Sequence, residues 1–260
     1  MKLTNNLGRS RTTIVCRGII VPVLLLALWQ LLSTLGPQYA YAFVPLQHLA
    51  HSAVALISSG ELLLNIRASL WVALQSLLTG GSIGLVLGLL MVYWRWLDLA
   101  LGPVYHTLRQ IPTMGLIPLI GLWFGNTETA KLIIVSLATF EVMLLNSYEG
   151  LTRVEPRYRE LASSLSLSKA QLFRYVLLPG ATASIMTGVF HAVAFAWLAT
   201  VGVELLFTVG PGISVIMERA QLAERMDVVI ICITTIGLLG FAMNQFCVWL
   251  ARRLLAWRPS

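Results

Sequence analysis

Long apolar runs separated by short charged connections constrain this chain more than any other feature of its sequence. A helix needs about 20 residues to cross the hydrocarbon core of a bilayer, and six blocks approach or exceed that length. They cover 18–36, 68–93, 99–124, 130–150, 182–207 and 228–250. Charged residues make up only 11% of the 260-residue chain, against about 25% in soluble domains. The sequence therefore predicts an all-α membrane protein, a single domain over 1–260 with about six transmembrane helices.

The basic residues predict the orientation of these blocks, because cytoplasmic loops carry an excess of Lys and Arg. If the N-terminal segment 1–17 is cytoplasmic, thirteen of them share its side: Lys2, Arg9, Arg11, Arg17, Arg95, Arg153, Arg157, Arg159, Lys169, Arg174, Arg252, Arg253 and Arg258. Four lie on the other side: Arg67, Lys131, Arg219 and Arg225. Both termini are therefore predicted to be cytoplasmic. Because the charges follow the apolar blocks, the net charge of +7 does not indicate nucleic-acid binding.

The first block has a second interpretation. Basic residues precede it, and Ala40-Tyr41-Ala42 after it is similar to the small-residue cleavage site of a signal peptide. Cleavage there would leave five spans and would place one terminus on the side that the charge count disfavours. We therefore predict that the first block is a retained span.

Glycines and prolines within the blocks predict how the helices meet. Gly80, Gly84 and Gly88 share one helical face, and small residues at this spacing let helix backbones approach closely in lipid. Packing within the chain is the favoured interpretation, and a subunit contact is the alternative. Pro112 and Pro118 interrupt the third block. Irregular backbone at membrane depth needs protein or a watery cavity around it, so this block is a candidate wall of a pathway.

A charged, amphipathic segment, 156–178, separates the fourth and fifth blocks. Pro156 suits the first turn of a helix, Ser168 and Gln171 fit a capping box that starts a second one, and Pro179 is predicted to end it. One apolar stripe is formed by Leu161, Leu165, Leu172 and Val176. Such a helix pair can lie on lipid headgroups or fit a groove of a cytoplasmic partner, and the pattern alone does not decide between them.

The same segment resembles the coupling segment of bacterial binding-protein-dependent ABC importer permeases, often called the EAA loop. Glu160, Ala162 and the Leu178-Pro179 ending match that motif. The usual glycine of the turn is replaced by Ser166, and the first alanine of the motif is replaced by leucine.

Three further stretches are similar to the nitrate, sulfonate and taurine branch of that family. They are 111–131 in the third block, 203–213 at the end of the fifth, and 252–259 near the C-terminus. The resemblance covers roughly residues 61–258. It implies a type I ABC importer permease fold in which 156–178 is the coupling segment that touches an ATPase.

The resemblance also implies partners. They are a second permease copy, identical or different, two cytoplasmic ATPase subunits, and a periplasmic or lipid-anchored solute-binding protein. ATP and Mg would bind the ATPase, and this chain would bind no cofactor. The expected location is the bacterial inner membrane, and the expected solute is a small anion such as a sulfonate, taurine or nitrate.

Charged residues inside the apolar blocks are candidates for the pathway because they are costly in lipid. Arg109, Glu141 and Glu204 qualify, and Trp197 is a deep aromatic candidate. The resemblance places Glu204 at the outer gate, followed by the glycines Gly210 and Gly212. Structural alternatives stay open: an anchor through hydrogen bonds or an ion pair for Glu204, an interfacial anchor for Arg109, and a bond to a neighbouring helix for Glu141.

No catalytic or metal site is predicted. The chain has no Gly-Lys dipeptide, hence no P-loop, and no His-Glu-x-x-His motif. The Gly-x-Ser-x-Gly match at 80–84 lies inside an apolar block, away from the strand-to-helix turn that this motif requires. A secondary transporter or channel would need ion-coupling groups or inverted repeats, and an intramembrane enzyme would need a nucleophile–base pair. The sequence therefore predicts a transport subunit.

Overall fold

The structure, a computed structural model, describes the backbone of residues 6–254 and the side chains of residues 20–36, 39 and 41–253. Within this range the regular elements are helices: α1 (Asn6–Ser33), α2 (Pro37–Ala42), α3 (Leu46–Ser58), α4 (Glu61–Ser76), α5 (Ser82–Tyr93), α6 (Arg95–Leu108), α7 (Ile117–Phe124), α8 (Glu128–Thr152), α9 (Pro156–Ser164), α10 (Lys169–Leu172), α11 (Leu178–Leu206), α12 (Ile213–Leu222) and α13 (Met226–Leu254). Lys2, Arg258 and the end of the stretch 252–259 lie outside the described residues.

The helix α8 is the centre of the bundle, with α11 on one side and α4 and α5 on the other. Ile134, Val135, Leu144 and Leu151 of α8 are fully buried. Small residues bring α11 close: a Cβ built on Gly188 would lie 2.6 Å from the Cβ of Asn146 on α8. Because α8 is enclosed by the chain itself, its side chains position those of its neighbours.

The glycine face of the second block packs against α8. A Cβ on Gly80 would overlap the carbonyl oxygen of Ser136, and one on Gly84 would lie 2.5 Å from the carbonyl oxygen of Phe140. A Cβ on Gly88 would meet Ser147 at 2.9 Å. The prediction that this face serves packing within the chain is therefore confirmed.

Among the residues whose side chains the structure describes, three helices are long and apolar enough to cross a membrane, namely Glu61–Tyr93, Lys169–Leu206 and Met226–Arg253. Apolar helical stretches also occupy Ile20–Ser33, which is the part of α1 whose side chains are described, and Thr113–Phe124. The prediction of an all-helical membrane protein is confirmed, whereas the count of six spans is not. The helices α3 and α12 lie in segments that the apolar blocks did not cover.

The third apolar block is not one helix. The helix α6 ends at Leu108, and Pro112 precedes a 3₁₀ turn, Thr113–Leu116, that leads into α7. Pro118 lies in the first turn of α7, where its missing N–H would have no helical partner anyway. The single span expected over 99–124 is therefore replaced by two shorter helices, with irregular backbone beside the first of the two prolines.

The prediction that Pro179 ends the second helix of the 156–178 segment is wrong. The helical path runs without interruption from Lys169 to Leu206, through a π turn at Phe173–Leu177 and into α11. A π turn bonds residues five apart and widens the helix locally. We infer that this widening relieves the clash that a proline ring normally makes with the carbonyl four residues earlier.

Candidate functional site

Two regions at opposite ends of α11 contain most of the candidate residues. The first, which we call the helix pair, is formed by α9, α10 and the turn between them. Residues 165–167 end α9 in a Schellman motif: the N–H of Leu167 donates to Ala162 (3.0 Å) and that of Ser166 to Ser163 (2.9 Å). Ser166 adopts a left-handed conformation, with φ of 51°. The turn therefore has the geometry for which a glycine is usual.

The second helix of the pair begins as predicted. Ser168 and Gln171 form a complete capping box, with reciprocal side-chain and backbone hydrogen bonds of 2.8 and 3.3 Å. Because two donors at the helix start are satisfied this way, the break between α9 and α10 is well defined.

Contacts with the bundle fix the helix pair to α8 and α11. Ala162 is 3% exposed, and the Arg159 guanidinium donates to the carbonyl of Leu151 at the end of α8 (2.9 Å). Leu172 packs against a buried cluster that contains Leu151 and Leu177. Leu178 is half-buried and Pro179 exposed. The pair thus continues into α11 and is also bonded to α8.

The outward surface of α9 carries both charge and apolar area. Leu161 is 58% exposed and Leu165 72%, and Glu160 beside them is also exposed. Within the described residues the Glu160 carboxylate makes no hydrogen bond or ion pair. Leu172 and Val176, the other half of the predicted stripe, are instead half-buried. The structure therefore leaves the α9 half of the stripe open to solvent or to a partner.

Replacing Ser166 with glycine should stabilise the turn of the helix pair. A left-handed conformation costs a non-glycine residue about 1 kcal/mol, which corresponds to roughly a fivefold change in a local opening equilibrium. We expect the amide hydrogen of Leu167 to exchange about fivefold more slowly in Ser166→Gly. Unchanged exchange would show that the backbone at this position carries no such strain, and Ser163→Gly provides a control within α9.

The second region, the α12 anchor, is a buried polar network at the other end of α11. The carboxylate of Glu204, 1% exposed, accepts from the Ser69 hydroxyl (2.7 Å) and from the Ser214 backbone N–H (3.2 Å). The N–H of Ile213 donates to Ser69 Oγ (3.0 Å), and that of Gly212 donates to Asn65 Oδ1 (2.7 Å). Side chains from α4 and α11 thus satisfy the free N–H groups at the start of α12.

The loop that leads into α12 is also fixed. Lys131, 2% exposed, donates from Nζ to the carbonyl of Val209. Gly210 has a φ of +68°, and a Cβ there would overlap the Glu128 carboxylate. A Cβ on Gly212 would lie 2.6 to 2.8 Å from the Glu204 carboxylate. Both glycines are therefore needed for close approach to acidic side chains.

The remaining candidates lie apart from both regions. Glu141 on α8 accepts a hydrogen bond from Thr113 Oγ1 (2.9 Å) in the break between α6 and α7, and it interacts electrostatically with the exposed Arg109. Trp197 is 7% exposed and donates from Nε1 to the carbonyl of Ile236 on α13 (3.3 Å). The geometry shows packing roles for Glu141 and Trp197, and their part in a pathway stays a prediction.

Two residues of the α12 anchor, Asn65 and Ser69, were not predicted from the sequence, and Lys131 was predicted only as an outer charge. All three are buried and take part in its hydrogen bonds. The signal was the spacing of Asn65 and Ser69, four residues apart on the helix that opens the second block. Polar residues at that spacing share one helical face.

Comparison with known proteins identifies the family. Residues 80–256 match the family described as "Binding-protein-dependent transport system inner membrane component". The chain is 35% identical to the putative aliphatic sulfonates transport permease protein SsuC of Escherichia coli (strain K12), over 92% of this chain and 91% of that protein. It is 30% identical to the taurine transport system permease protein TauC of the same organism, over 88% and 76%.

The fold is also that of a solved transporter. The structure described as "Crystal structure of an amino acid ABC transporter with histidines" matches with a TM-score of 0.66, covering 77% of this chain and 97% of that chain. At 16% identity this likeness shows the fold alone. From the matched residues and the two relatives, the chain belongs to the family of binding-protein-dependent transport system inner membrane components, and it is an ABC importer permease of the nitrate, sulfonate and taurine branch.

Proposed function

We propose that this chain forms the pathway for an aliphatic sulfonate or a closely related small anion in an ATP-driven importer. The observation that carries the proposal is the helix pair, which continues into α11 and is hydrogen-bonded to α8. A force applied to α9 is transmitted to both helices, because their backbone bonds are satisfied internally. The exposed Glu160, Leu161 and Leu165 are the surface on which an ATPase subunit acts.

In this proposal, ATP hydrolysis by partner subunits supplies the energy for transport. Two cytoplasmic ATPase subunits bind ATP and Mg and hydrolyse ATP, and this chain has neither role. A second permease copy completes the pathway, and an extracytoplasmic binding protein delivers the solute. Charge counting supports cytoplasmic termini and a cytoplasmic helix pair in a bacterial inner membrane, so the α12 anchor faces the binding protein.

The names of two relatives support the proposed solute class. SsuC of Escherichia coli is named for aliphatic sulfonates and TauC for taurine, which is itself a sulfonate. The decisive experiment reconstitutes the chain with its ATPase and binding protein and measures uptake of radiolabelled ethanesulfonate, taurine and nitrate. ATP-dependent uptake of the sulfonates supports the proposal. Uptake without ATPase, driven by an ion gradient, would overturn it.

Replacing Gly212 with valine should close or disorder the outer gate. The new Cβ would lie 2.6 to 2.8 Å from the Glu204 carboxylate, so either the carboxylate or the start of α12 must move. Losing the hydrogen bonds of a buried carboxylate costs about 1–3 kcal/mol, which corresponds to roughly a fivefold to 150-fold loss of uptake. Initial uptake rates in vesicles measure this effect.

The control for that variant is Gly237→Val, where a Cβ meets nothing within 4 Å. It should leave uptake unchanged. Normal uptake by Gly212→Val would remove the α12 anchor from the gate.

A further inference from the structure

Exposed and half-buried side chains, three of them polar, follow one stripe of the helix Glu61–Tyr93. Arg67, Trp71, Gln75 and Thr79 follow one another at intervals of four residues, so each lies beside the next along a stripe, here called the α4 face, that winds gradually around the helix. Arg67 and Thr79 are exposed, Trp71 is 57% exposed, and Gln75 is half-buried. These residues lie outside the α12 anchor and outside the helix pair, so neither region accounts for them.

The outer part of this face opens into a cavity. Its volume is about 990 Å³, and its lining includes Leu63, Arg67, Trp71, Leu74 and Pro211. Pro211 belongs to the loop that leads into α12, so the cavity adjoins the proposed outer gate. Arg67 is the only charged residue among those that line it.

The inner part of the face lies at an irregular turn. Leu77–Gly81 form a π turn near the middle of the 33-residue helix Glu61–Tyr93, and such turns occur frequently at functional sites. Gly80 lets α8 approach here, which brings Ser136 Oγ to 2.8 Å from Thr79 Oγ1. The side-chain amide of Gln75 makes no hydrogen bond within the described part of the chain.

Lipid hydrocarbon is an unfavourable environment for these polar side chains. Arg67 lies near the outer start of the helix Glu61–Tyr93, and in the described residues it has no ion-pair partner. Gln75 lies deeper in the helix, where an amide that faces hydrocarbon without a hydrogen bond is costly. Water or a polar solute satisfies both groups, and an oxyanion matches them best because Arg67 and Gln75 both present donors.

We propose that Arg67, Gln75 and Thr79 of the α4 face, together with Ser136, form an oxyanion-binding track of the translocation pathway. The proposal rests on the proposed function and deepens it by naming residues that contact the solute. Arg67 binds two oxygens of a sulfonate at the outer mouth, and Trp71 forms an apolar wall. Uncharged groups follow deeper in the membrane. The Gln75 amide is free to donate, and the Thr79 hydroxyl, which donates to the Gln75 carbonyl (2.9 Å) and contacts Ser136 Oγ, turns to the anion only when it gives up that bond, so the contacts are weak and let the anion leave again.

Cysteine accessibility tests the track without knowledge of the solute. The three native cysteines are replaced with alanine in the assembled transporter, and Thr79→Cys is treated with two thiol reagents. One is 2-sulfonatoethyl methanethiosulfonate, an anion, and the other is its trimethylammonium analogue, a cation. The rate at which the anionic reagent modifies Thr79→Cys is divided by the rate for the cationic reagent. This ratio is then divided by the same ratio measured with free 2-mercaptoethanol, which corrects for the intrinsic reactivity of the two reagents.

We expect Thr79→Cys to react and to prefer the anionic reagent. Arg67 and Thr79 are twelve residues apart, about 18 Å along a helix. A unit charge at that distance changes each reagent's local concentration about fourfold, in opposite senses. Removing that charge in Arg67→Gln should therefore shift the corrected ratio by about sixteenfold toward the cation, whereas Arg67→Lys should retain the preference.

A matched control lies on α13. Leu238 is 64% exposed and lies near the middle of its helix. We expect it to face lipid, so Leu238→Cys should be unreactive. If Thr79→Cys were equally unreactive, the α4 face would be covered by lipid or by another chain and the track would be overturned. If Arg67→Gln left the corrected ratio of the two reagents unchanged, Arg67 would not belong to the track.

Uptake supplies the second readout. Arg67→Gln should lower the maximal rate of ethanesulfonate uptake roughly tenfold, which corresponds to about 1.4 kcal/mol, with little change in KM, because the binding protein captures the solute before Arg67 meets it. An unchanged maximal rate would contradict the proposal. If the wild-type transporter does not import sulfonates but Thr79→Cys shows the anion preference, the proposed solute is wrong and the track stands.

Discussion

Gly80→Val is expected to prevent this chain from folding to a stable bundle. The added Cβ would overlap the carbonyl oxygen of Ser136 and the Thr139 hydroxyl. Both belong to α8, which is enclosed on both sides and cannot retreat. Thr139 Oγ1 lies 2.8 Å from the carbonyl of Ser76, so a shift of α8 would also disrupt that contact.

The expected loss is large for a single substitution. Overpacking alone costs about 1–3 kcal/mol, and a displaced buried hydrogen bond adds about 1–3 more. Because the overlap is with backbone, no rotamer change relieves it. Purified yield and the thermal midpoint in detergent, followed by the loss of the monodisperse species, measure the effect.

Gly237→Val is the matched control. It places the same side chain in a helical glycine position near the middle of an apolar span, where a Cβ would meet nothing within 4 Å. Its midpoint should stay within about 2 °C of the wild type, the shift expected of a substitution worth a few tenths of a kcal/mol. A stable, monodisperse Gly80→Val protein would contradict the packing of the second block against α8.

The glycine face shows how far the sequence alone could predict this fold. The four-residue spacing of Gly80, Gly84 and Gly88 predicts that they lie on one side of a helix, because residues four apart are neighbours on a helix surface. It could not name α8 as the partner, because any helix with room for close approach satisfies the same pattern. The partner is decided by the shapes of Ser136, Phe140 and their neighbours, which only a three-dimensional arrangement brings together.

Local signals succeeded where the interactions are local. Ser168 and Gln171 predicted a capping box that the structure contains, because both partners lie within one helical turn. Pro179 failed as a stop signal, since the π turn before it is set by packing of Phe173 and Leu177 against the bundle. Ser166 adopts a left-handed backbone conformation that serine does not predict.

The α12 anchor could not be predicted from the sequence, because its hydrogen-bond partners are far apart in the chain. Glu204 was a candidate by its charge, but its partner Ser69 lies 135 residues away. Small hydroxyl residues in apolar spans are common and carry little signal individually. A buried carboxylate in a span nevertheless requires donors, so a search for polar pairs at helical spacing would have found Asn65 and Ser69.

Glu160→Lys is expected to abolish uptake while leaving the bundle folded. The side chain is exposed on α9, and the contacts that hold the helix there use its backbone carbonyl, which accepts from Ser163 and Ser164. Lysine preserves those bonds. In the proposed assembly the carboxylate meets a cationic group of the ATPase, and reversing its charge replaces attraction with repulsion.

The size of that effect follows from the interface. Removing one partner of a buried charge pair costs about 2–5 kcal/mol, which is a factor of roughly thirty to several thousand. We expect ethanesulfonate uptake to fall below detection in vesicles, while ATP hydrolysis by the partner subunits no longer responds to loaded binding protein. Both readouts are needed, because a folding defect would reduce uptake without separating it from hydrolysis.

Glu155→Lys tests whether position or mere charge is responsible. It makes the same change five residues away, at the residue before α9, where Glu155 pairs with the exposed Arg157. Exposed ion pairs contribute about 0–1 kcal/mol, so this variant should retain most of its uptake. Equal loss in both variants would indicate a general electrostatic requirement of the cytoplasmic surface. Wild-type uptake by Glu160→Lys would show that the helix pair does not couple to the ATPase. The reason is that no other contact of Glu160 could compensate for a reversed charge in the middle of α9.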